Sequence, residues 1–324
     1  MSSNLNTLPR SGSIRRSTSS ALSRLGVSAA LGGVLLATVS LVNAVVAATE
    51  VAAGNEAAVA AMVAWSFGVA TAALATTKLG VAIVLWGIVG RIRARVETMT
   101  SVLPRLINPS QESVPAGGTH VRTPFGPADV TRHPPTELAI HRASRLLWAP
   151  MLGMGAMAVY AGLVLSVIQS STVATDATAA RALGAWVQGI QFLGEGMLLG
   201  GISFLLGTIL AGLRGGGAEV QAHLERPVHT LQMPLTAKLF IGLMALGVIV
   251  EMAQFGLYAY ASTLAGDPSF AILATWLGPL REFGLGLLLS GIVLALATIA
   301  RVLGFQFHRV TGLIGRPASN EVTS

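Results

Sequence analysis

The chain contains no cysteine and few charged residues, and each shortage excludes a class of protein. Without Cys among its 324 residues, it has no disulfides, thiolate metal sites, cysteine nucleophiles or Cys-ligated iron–sulfur clusters. Charged residues make up 11% of the chain, against about 25% in an average soluble domain. This excludes a soluble globule, and the 52% hydrophobic content excludes a disordered chain. The sequence therefore predicts an integral membrane protein.

Six long apolar segments account for about half of the chain. Each segment exceeds the length of about 20 residues that a helix needs to cross the hydrocarbon core. The segments are continuously apolar and do not alternate, which favours helices over the strands of a membrane barrel. We predict an all-α integral membrane fold with six transmembrane helices. The predicted spans are 25–49, 60–90, 147–169, 184–213, 239–262 and 273–300.

The distribution of Arg and Lys predicts the orientation of these spans. Eighteen of the 21 basic residues lie in both termini and the even-numbered loops, whereas the opposite loops contain only Arg181. Basic residues stay on the cytoplasmic side, so both termini are predicted to lie there (N-in/C-in). Beside apolar segments these residues also attract anionic lipids at the cytosolic face, and no nucleic-acid partner is expected.

An internal repeat organises the spans. When Trp186 is aligned with Trp276, ten of the 24 positions that start at each Trp are identical. Span two joins this alignment through Trp65, and spans three and five align more loosely. We predict three helical-hairpin repeats with the same topology. The resulting segments are a disordered basic tail (1–24), repeat 1 (25–90), a cytosolic linker (91–146), repeat 2 (147–213), a cytosolic loop (214–238), repeat 3 (239–300) and a cytosolic tail (301–324).

Local patterns predict the structure between the spans. Residues 104–135 are rich in Pro, Gly and Thr, which is typical of irregular structure. Residues 136–148 predict a short amphipathic helix on the membrane surface, and Pro150 falls in the first turn of span three. Three consecutive glycines, residues 215–217, predict the end of the span-four helix.

Histidines offer little support for metal or redox chemistry. A Gln-x-His pattern recurs after spans four and six, at Gln221 and Gln306, and two such histidines could bind a metal only if they met in space. No His lies within a span, which excludes intramembrane bis-His haem. We predict neither a metal site nor a cofactor.

Charged residues inside the spans are the strongest pointer to function. Lys78, Glu195 and Glu251 lie near the middles of their spans, and Arg281 and Glu282 lie one or two turns inside the outer end of span six. A charge at the bilayer centre costs about 2.5–3.5 kcal/mol on insertion scales, so such residues are paired, hydrated or functional. Helical spacing places two of these charges on polar stripes. One stripe is Gln188, Gln191 and Glu195 on span four, and the other is Glu251, Gln254 and Tyr258 on span five.

Two functional hypotheses follow. The first is translocation of a proton, a cation or a small solute through an outward-facing polar vestibule that ends at the midplane carboxylates. The second is a non-catalytic accessory or scaffold subunit, in which the buried charges pair helices within the chain or with partner membrane subunits. An enzyme is not expected, because the spans contain no Ser/His/Asp arrangement. A homo-oligomer or partner subunits are expected in either case.

The amino-terminal segment is compatible with two cellular locations of the protein. Residues 1–30 are rich in Ser and Arg and contain no acidic residue, which also describes an organelle targeting segment. The favoured prediction is a cell inner (plasma) membrane protein of several passes. The alternative is the inner membrane of an organelle.

Overall fold

Long helices and one small sheet make up the fold. The computed structural model describes residues 11–106, 119–224 and 226–314. Within these ranges there are six helices and three short strands. The helices are α1 Ser11–Ala52, α2 Glu56–Leu106, α3 Ala139–Thr172, α4 Ala177–His223, α5 Leu235–Thr263 and α6 Ser269–Ile314, and the strands are β1 Thr119–Thr123, β2 Gly126–Thr131 and β3 Val228–Leu231.

The six predicted spans are confirmed as helices. Each of the six helices contains a segment long and apolar enough to cross a membrane, with mean hydropathy between 1.8 and 2.3. The chain is therefore a helical membrane protein of several passes. Its threefold repeat and its N-in/C-in orientation stay predictions. Helix α1 starts at Ser11, inside the predicted tail 1–24, and residues 1–10 lie outside the described part.

Three helices are much longer than the thickness of a bilayer. Helices α2, α4 and α6 contain 51, 47 and 46 residues, which corresponds to roughly 70 Å at the rise of an α-helix, against about 30 Å of hydrocarbon. The predicted helix end at residues 215–217 is wrong, because α4 continues through these glycines to His223. The cost of about 1 kcal/mol per helical Gly is offset by tertiary contact, since Gly217 lies against Gln306 and Arg309 of α6.

The strands form one antiparallel sheet in the order β1-β2-β3. Thr119 pairs with Val130, and Asp129 pairs with Thr230 of β3. The turn between β1 and β2 requires Gly126, whose φ is +129°. The prediction of irregular structure for 104–135 is therefore wrong where β1 and β2 lie, and the helical membrane fold carries one small sheet in addition to its helices. The pairing with β3 joins segments about a hundred residues apart, which local patterns do not reveal.

The predicted amphipathic helix at 136–148 is not a separate element. Helix α3 begins at Ala139 and continues without a break to Thr172, with Pro150 inside it and not in its first turn. A proline at this position removes one backbone hydrogen bond, and the packed helix tolerates that loss. The predicted surface helix is thus the first part of a membrane-spanning helix.

Helix α4 forms the centre of the bundle. Its apolar segment is 72% buried, whereas the corresponding segments of the other helices are 18–39% buried. Helices α2, α3, α5 and α6 all pack on α4, while α1 packs on α2. Sequence-adjacent helices are antiparallel, because Gly155 approaches Gly194 near mid-helix and Gly207 approaches Ser144 near the start of α3. The turns α1–α2, α3–α4 and α5–α6 therefore lie at one end of the bundle, and the sheet lies at the other, which we call the sheet end.

The sheet is attached to the helix extensions at the sheet end. Phe125, in the β1–β2 turn, packs against Phe305 of α6 with ring centroids 6.5 Å apart. Arg301 Nε donates a hydrogen bond of 2.5 Å to the carbonyl oxygen of Phe125. The side-chain oxygen of Gln221 in α4 accepts a hydrogen bond of 3.0 Å from the backbone N–H of His229 in β3. These contacts tie the strands to both α4 and α6.

Asp129 makes the sheet sensitive to acid. Its carboxylate accepts a hydrogen bond of 2.7 Å from Gln232 and lies 2.7 Å from Nδ1 of His120. The bond from Gln232, followed by the contact with His120, lowers the pKa of Asp129 below its ordinary value of 3.8. Because the folded-state pKa is depressed, this stabilisation is complete above the ordinary pKa and is lost as the pH falls through the folded-state value.

We therefore expect acid to weaken the attachment of β3 to β2. Hydrogen-exchange protection factors of the amides in β2 and β3 should fall as the pH drops below the ordinary pKa of Asp129. The Asp129→Asn variant should show lower protection at neutral pH and a flatter pH dependence. Equal pH dependence in the two proteins would contradict this role for the carboxylate.

Candidate functional site

Two basic side chains from different helices converge on the carboxylate of Glu195. Lys78 Nζ of α2 lies 3.3 Å from one carboxylate oxygen, and Arg281 Nη2 of α6 lies 3.5 Å from the other. The side chain of Glu195 is fully buried, while those of Lys78 and Arg281 are 13% and 24% exposed. The structure thus brings together three of the predicted charged residues, and a single carboxylate links α2, α4 and α6.

Phe192 supports this arrangement from one helical turn away. The guanidinium carbon of Arg281 lies 3.9 Å from the centroid of the Phe192 ring, within the range of a cation–π interaction. Phe192 and Glu195 are three residues apart on α4 and therefore share a helix face. The Arg281 head group is thereby placed between an aromatic ring and a carboxylate.

Glu251 of α5 lies beside this ion pair, and its carboxylate has no hydrogen bond to any residue that the structure describes. The residue is 3% exposed, and neither carboxylate oxygen has a hydrogen-bond partner among the described residues. It is close enough to Glu195, Arg281 and Lys78 to interact with each electrostatically. We call these four residues the charge cluster.

Glycines on two helices create the space that Glu251 occupies. A Cβ atom at Gly196 of α4 would lie 2.7 Å from Cγ of Glu251, and a Cβ at Gly284 of α6 would lie 2.8 Å from its Oε1. Real Cβ atoms do not approach other atoms that closely, so larger residues at either position would displace the carboxyl group. Gly196 and Gly284 therefore do more than let helices pack, because they form two walls of the space that holds the Glu251 carboxyl group.

The two polar stripes lie inside the bundle. Gln191 and Gln254 are completely buried, and Tyr258 is 5% exposed, whereas Gln188 is half-buried. Neither polar atom of the Gln191 and Gln254 amides has a hydrogen-bond partner among the described residues. This burial differs from the prediction of an open vestibule, in which these side chains would contact water. Close packing explains it, since Gly189 brings α4 against Tyr258.

The side chain of Glu282 lies outside the described part of the structure. Within the described residues, no group of three or more His, Asp or Glu side chains is arranged to hold a metal ion. The Gln-x-His pattern has a different use, because Gln221 and Gln306 both accept hydrogen bonds from Arg309. Arg309 thereby brings these two glutamines together.

Sequence reasoning missed a large cavity in the sheet-end half of the bundle. Its volume is about 500 Å³, and its lining comes mainly from α3, α4, α5 and α6. Towards the membrane midplane it reaches Gly200 and Val248, the latter one helical turn from Glu251. Towards the sheet end it reaches Arg214 and Arg309. The sequence showed only that this half of α4 and α5 is apolar and rich in Gly, which is equally typical of close packing.

Comparison with known proteins adds no relative. Models of protein families, curated proteins and solved structures all fail to match this chain. The interpretation of the charge cluster therefore depends on its geometry. A buried carboxyl group that lies beside two cations and a second carboxylate, with no hydrogen bond to the described part of the chain, is chemically suited to bind and release a proton.

Proposed function

We propose that this protein is a membrane transport protein in which Glu251 carries a proton past the midplane. The observation that supports this most is the burial of the Glu251 carboxyl group without a hydrogen-bond partner among the described residues. An ionised carboxylate in an apolar interior loses several kcal/mol of hydration, and binding a proton removes most of that cost. A residue in this state has no evident packing value and a clear use as a proton carrier.

The neighbours of Glu251 outline a path in both directions. Towards the end opposite the sheet, Gln254 and Tyr258 follow at helical spacing on α5, while Gln191 of α4 is buried against Gly162 of α3. Towards the sheet end, the cavity begins at Val248 and Gly200. By the distance and angle criteria for a hydrogen bond, the Gln254 amide has no partner among the described residues, so hydration of the α5 stripe would connect Glu251 to the far surface.

The charge cluster supplies a reason for protons to leave as well as to enter. With Glu251 ionised, two carboxylates face two cations and the cluster is neutral. With Glu251 protonated, the cluster carries one net positive charge, which Coulomb repulsion disfavours at low dielectric. Protonation of Glu251 removes the desolvation cost of a buried carboxylate but adds the Coulomb cost of a cluster with a net positive charge. Two opposing terms of this kind leave both protonation states accessible.

Proton flux into proteoliposomes tests this proposal. An inside-negative potassium diffusion potential should drive acidification of vesicles that contain the wild-type protein, measured with a trapped pH dye. We expect Glu251→Gln to reduce the rate to that of protein-free vesicles, because an amide cannot carry the proton. Glu219→Gln changes an exposed carboxylate on the same bundle and serves as the matched control, which should keep the wild-type rate.

Two results would overturn the proposal. One is a wild-type rate no higher than that of protein-free vesicles under any imposed potential or pH gradient. The other is an unchanged rate in a folded Glu251→Gln variant. Size-exclusion chromatography of each variant in detergent identifies proteins that fail to fold, so that a lost rate is assigned to chemistry only in folded protein.

A scaffold role is the second candidate, and one observation favours it. Glu195 pairs with Lys78 and Arg281 and so links three helices, as expected of a contact that specifies helix pairing. Under this proposal the protein is an accessory subunit of a larger membrane complex. Stoichiometric co-purification with other membrane subunits in mild detergent would support this role, whereas a lone homo-oligomer would support transport.

The proposed transport role also favours a location. Proton carriage is useful in a membrane that holds a proton gradient, which agrees with the cell inner (plasma) membrane or, as the alternative, the inner membrane of an organelle. Enzymatic activity is not part of either proposal.

A further inference from the structure

We propose that the sheet-end cavity is a binding site for one anionic phospholipid, with an acyl chain in the apolar part and the phosphate group at Arg309 and Arg214. The proposal does not depend on proton transport. It rests on the shape of the cavity, on its lateral opening and on two arginines at its sheet end.

Arg309 is a buried cation without an acidic partner among the described residues. It is 8% exposed. Its guanidinium donates to the side-chain oxygen of Gln221, with a distance of 3.0 Å from Nε, and to that of Gln306 at 3.4 Å from Nη1. Its guanidinium carbon also lies 5.2 Å from the Phe305 ring centroid. These partners are all neutral, and a buried charge is normally neutralised by a counter-ion.

Arg214 brings a second cation to the same end of the cavity. Its Nε is buried and has no hydrogen-bond partner among the described residues. The guanidinium of Arg309 lies against Gly217, where a Cβ atom would be 2.9 Å from Nη1. Since residues 214 and 217 are less than one turn apart on α4, the two arginines belong to one region. Paired guanidinium groups are well suited to a phosphate, because their planar N–H donors match its oxygens.

The remainder of the cavity is apolar and suits a hydrocarbon chain. Phe240, Met244 and Val248 of α5 line it, together with Met151 of α3 and Phe204 of α4. The volume of about 500 Å³ lies within the range of ligand sites, which is about 300–1,000 Å³. A fully water-soluble anion would leave this apolar surface unfilled, whereas an amphiphile fills both parts.

The side of the bundle allows a lipid to enter directly from the bilayer. Helices α3 and α5 each pack on α4 but scarcely touch each other. Two lining residues on either side of this gap, Leu147 and Ile249, are 43% and 63% exposed. The cavity therefore opens sideways into the leaflet at the sheet end, where the predicted orientation places the cytosolic face.

Lipid titration of the full-length protein tests this site. Purified protein in detergent is mixed with phosphatidylglycerol, phosphatidylcholine or oleate, and bound lipid is counted by native mass spectrometry. We expect one phosphatidylglycerol to bind at least about tenfold more tightly than phosphatidylcholine, because the choline ammonium offsets the phosphate charge that attracts the two arginines and phosphatidylglycerol has no such group. Arg214→Gln and Arg309→Gln should each remove that preference, while Arg142→Gln, at an exposed position on α3, should retain it.

A second variant tests the apolar part and guards against misfolding. Ala245→Trp places a large side chain in the cavity lining and leaves both arginines in place, so it should reduce binding of every lipid while charge preference for the residual binding persists. Equal binding of the anionic and zwitterionic phospholipids to the wild-type protein would overturn the proposal. So would retained preference in both arginine variants, or tight binding of oleate in place of phosphatidylglycerol.

Discussion

Replacement of Glu195 by Gln is expected to destabilise the protein by about 3–5 kcal/mol, the cost of breaking a buried ion pair from one side. The carboxylate of Glu195 is fully buried, and both of its oxygens face cations. An amide would take this carboxylate away from Lys78 and Arg281, with Glu251 as a nearby counter-charge. We expect a large fall in the unfolding midpoint in detergent, measured by tryptophan fluorescence.

A double replacement separates this electrostatic cost from any loss of packing. Lys78→Met combined with Glu195→Gln removes one cation and one anion, which leaves Arg281 and Glu251 to balance each other. We expect the double variant to be more stable than Glu195→Gln alone, although it carries the additional substitution Lys78→Met. Equal or lower stability of the double variant would show that Glu195 acts through its shape and not its charge.

The same measurement distinguishes the two carboxylates. Glu251→Gln removes no ion pair and should lower the unfolding midpoint much less than Glu195→Gln, because neither oxygen of Glu251 has a hydrogen-bond partner among the described residues. Glu195 would then be the structural member of the charge cluster, and Glu251 would be the member that carries the proton. Similar losses of stability in both variants would favour the scaffold role for the whole cluster.

Addition of a single methyl group at Gly155 is the second change with a large expected effect. A Cβ atom there would lie 2.7 Å from the carbonyl oxygen of Gly194 and 2.9 Å from the backbone nitrogen of Leu198. These are backbone atoms of α4 and cannot rotate away, so α3 would have to move. We expect Gly155→Ala to destabilise the protein by roughly 1–3 kcal/mol, as overpacking does, despite the better helix propensity of Ala.

Gly153 provides the matched control on the same helix. It is exposed, and a Cβ atom at this position would have no neighbour within 4 Å. Gly153→Ala should therefore be neutral or slightly stabilising, because Ala favours helix by about 1 kcal/mol over Gly. If both variants behave alike in thermal unfolding, the close approach of α3 and α4 does not limit stability.

Helix contacts of this kind connect packing to the charge cluster. The approach at Gly155 and Gly194 holds α3 against α4, and two residues further along α4 Gly196 makes room for Glu251. A displacement of α4 by a single methyl group would thus reach the carboxyl groups. We infer that the small residues set the position of the buried acids as well as the distance between helices.

The amino-acid sequence by itself determined the membrane class, the six helices and the presence of charged residues within the spans. Length and apolarity of a segment are local properties, so the spans are visible in the sequence. A charge inside such a segment is also visible locally, which is why Lys78, Glu195, Glu251 and Arg281 could be named in advance. Nothing in a single segment tells which way its helix is rotated in the bundle.

Only the tertiary structure decided how these residues meet. The pairing of Glu195 with two cations, and the absence of such a pair at Glu251 among the described residues, depend on the rotation of α2, α5 and α6 around α4. The sheet joins strands about a hundred residues apart, and the cavity exists because α3 and α5 pack on α4 without closing on each other. Contacts between distant segments are set by packing of the whole bundle, and they leave no local pattern from which they could have been predicted.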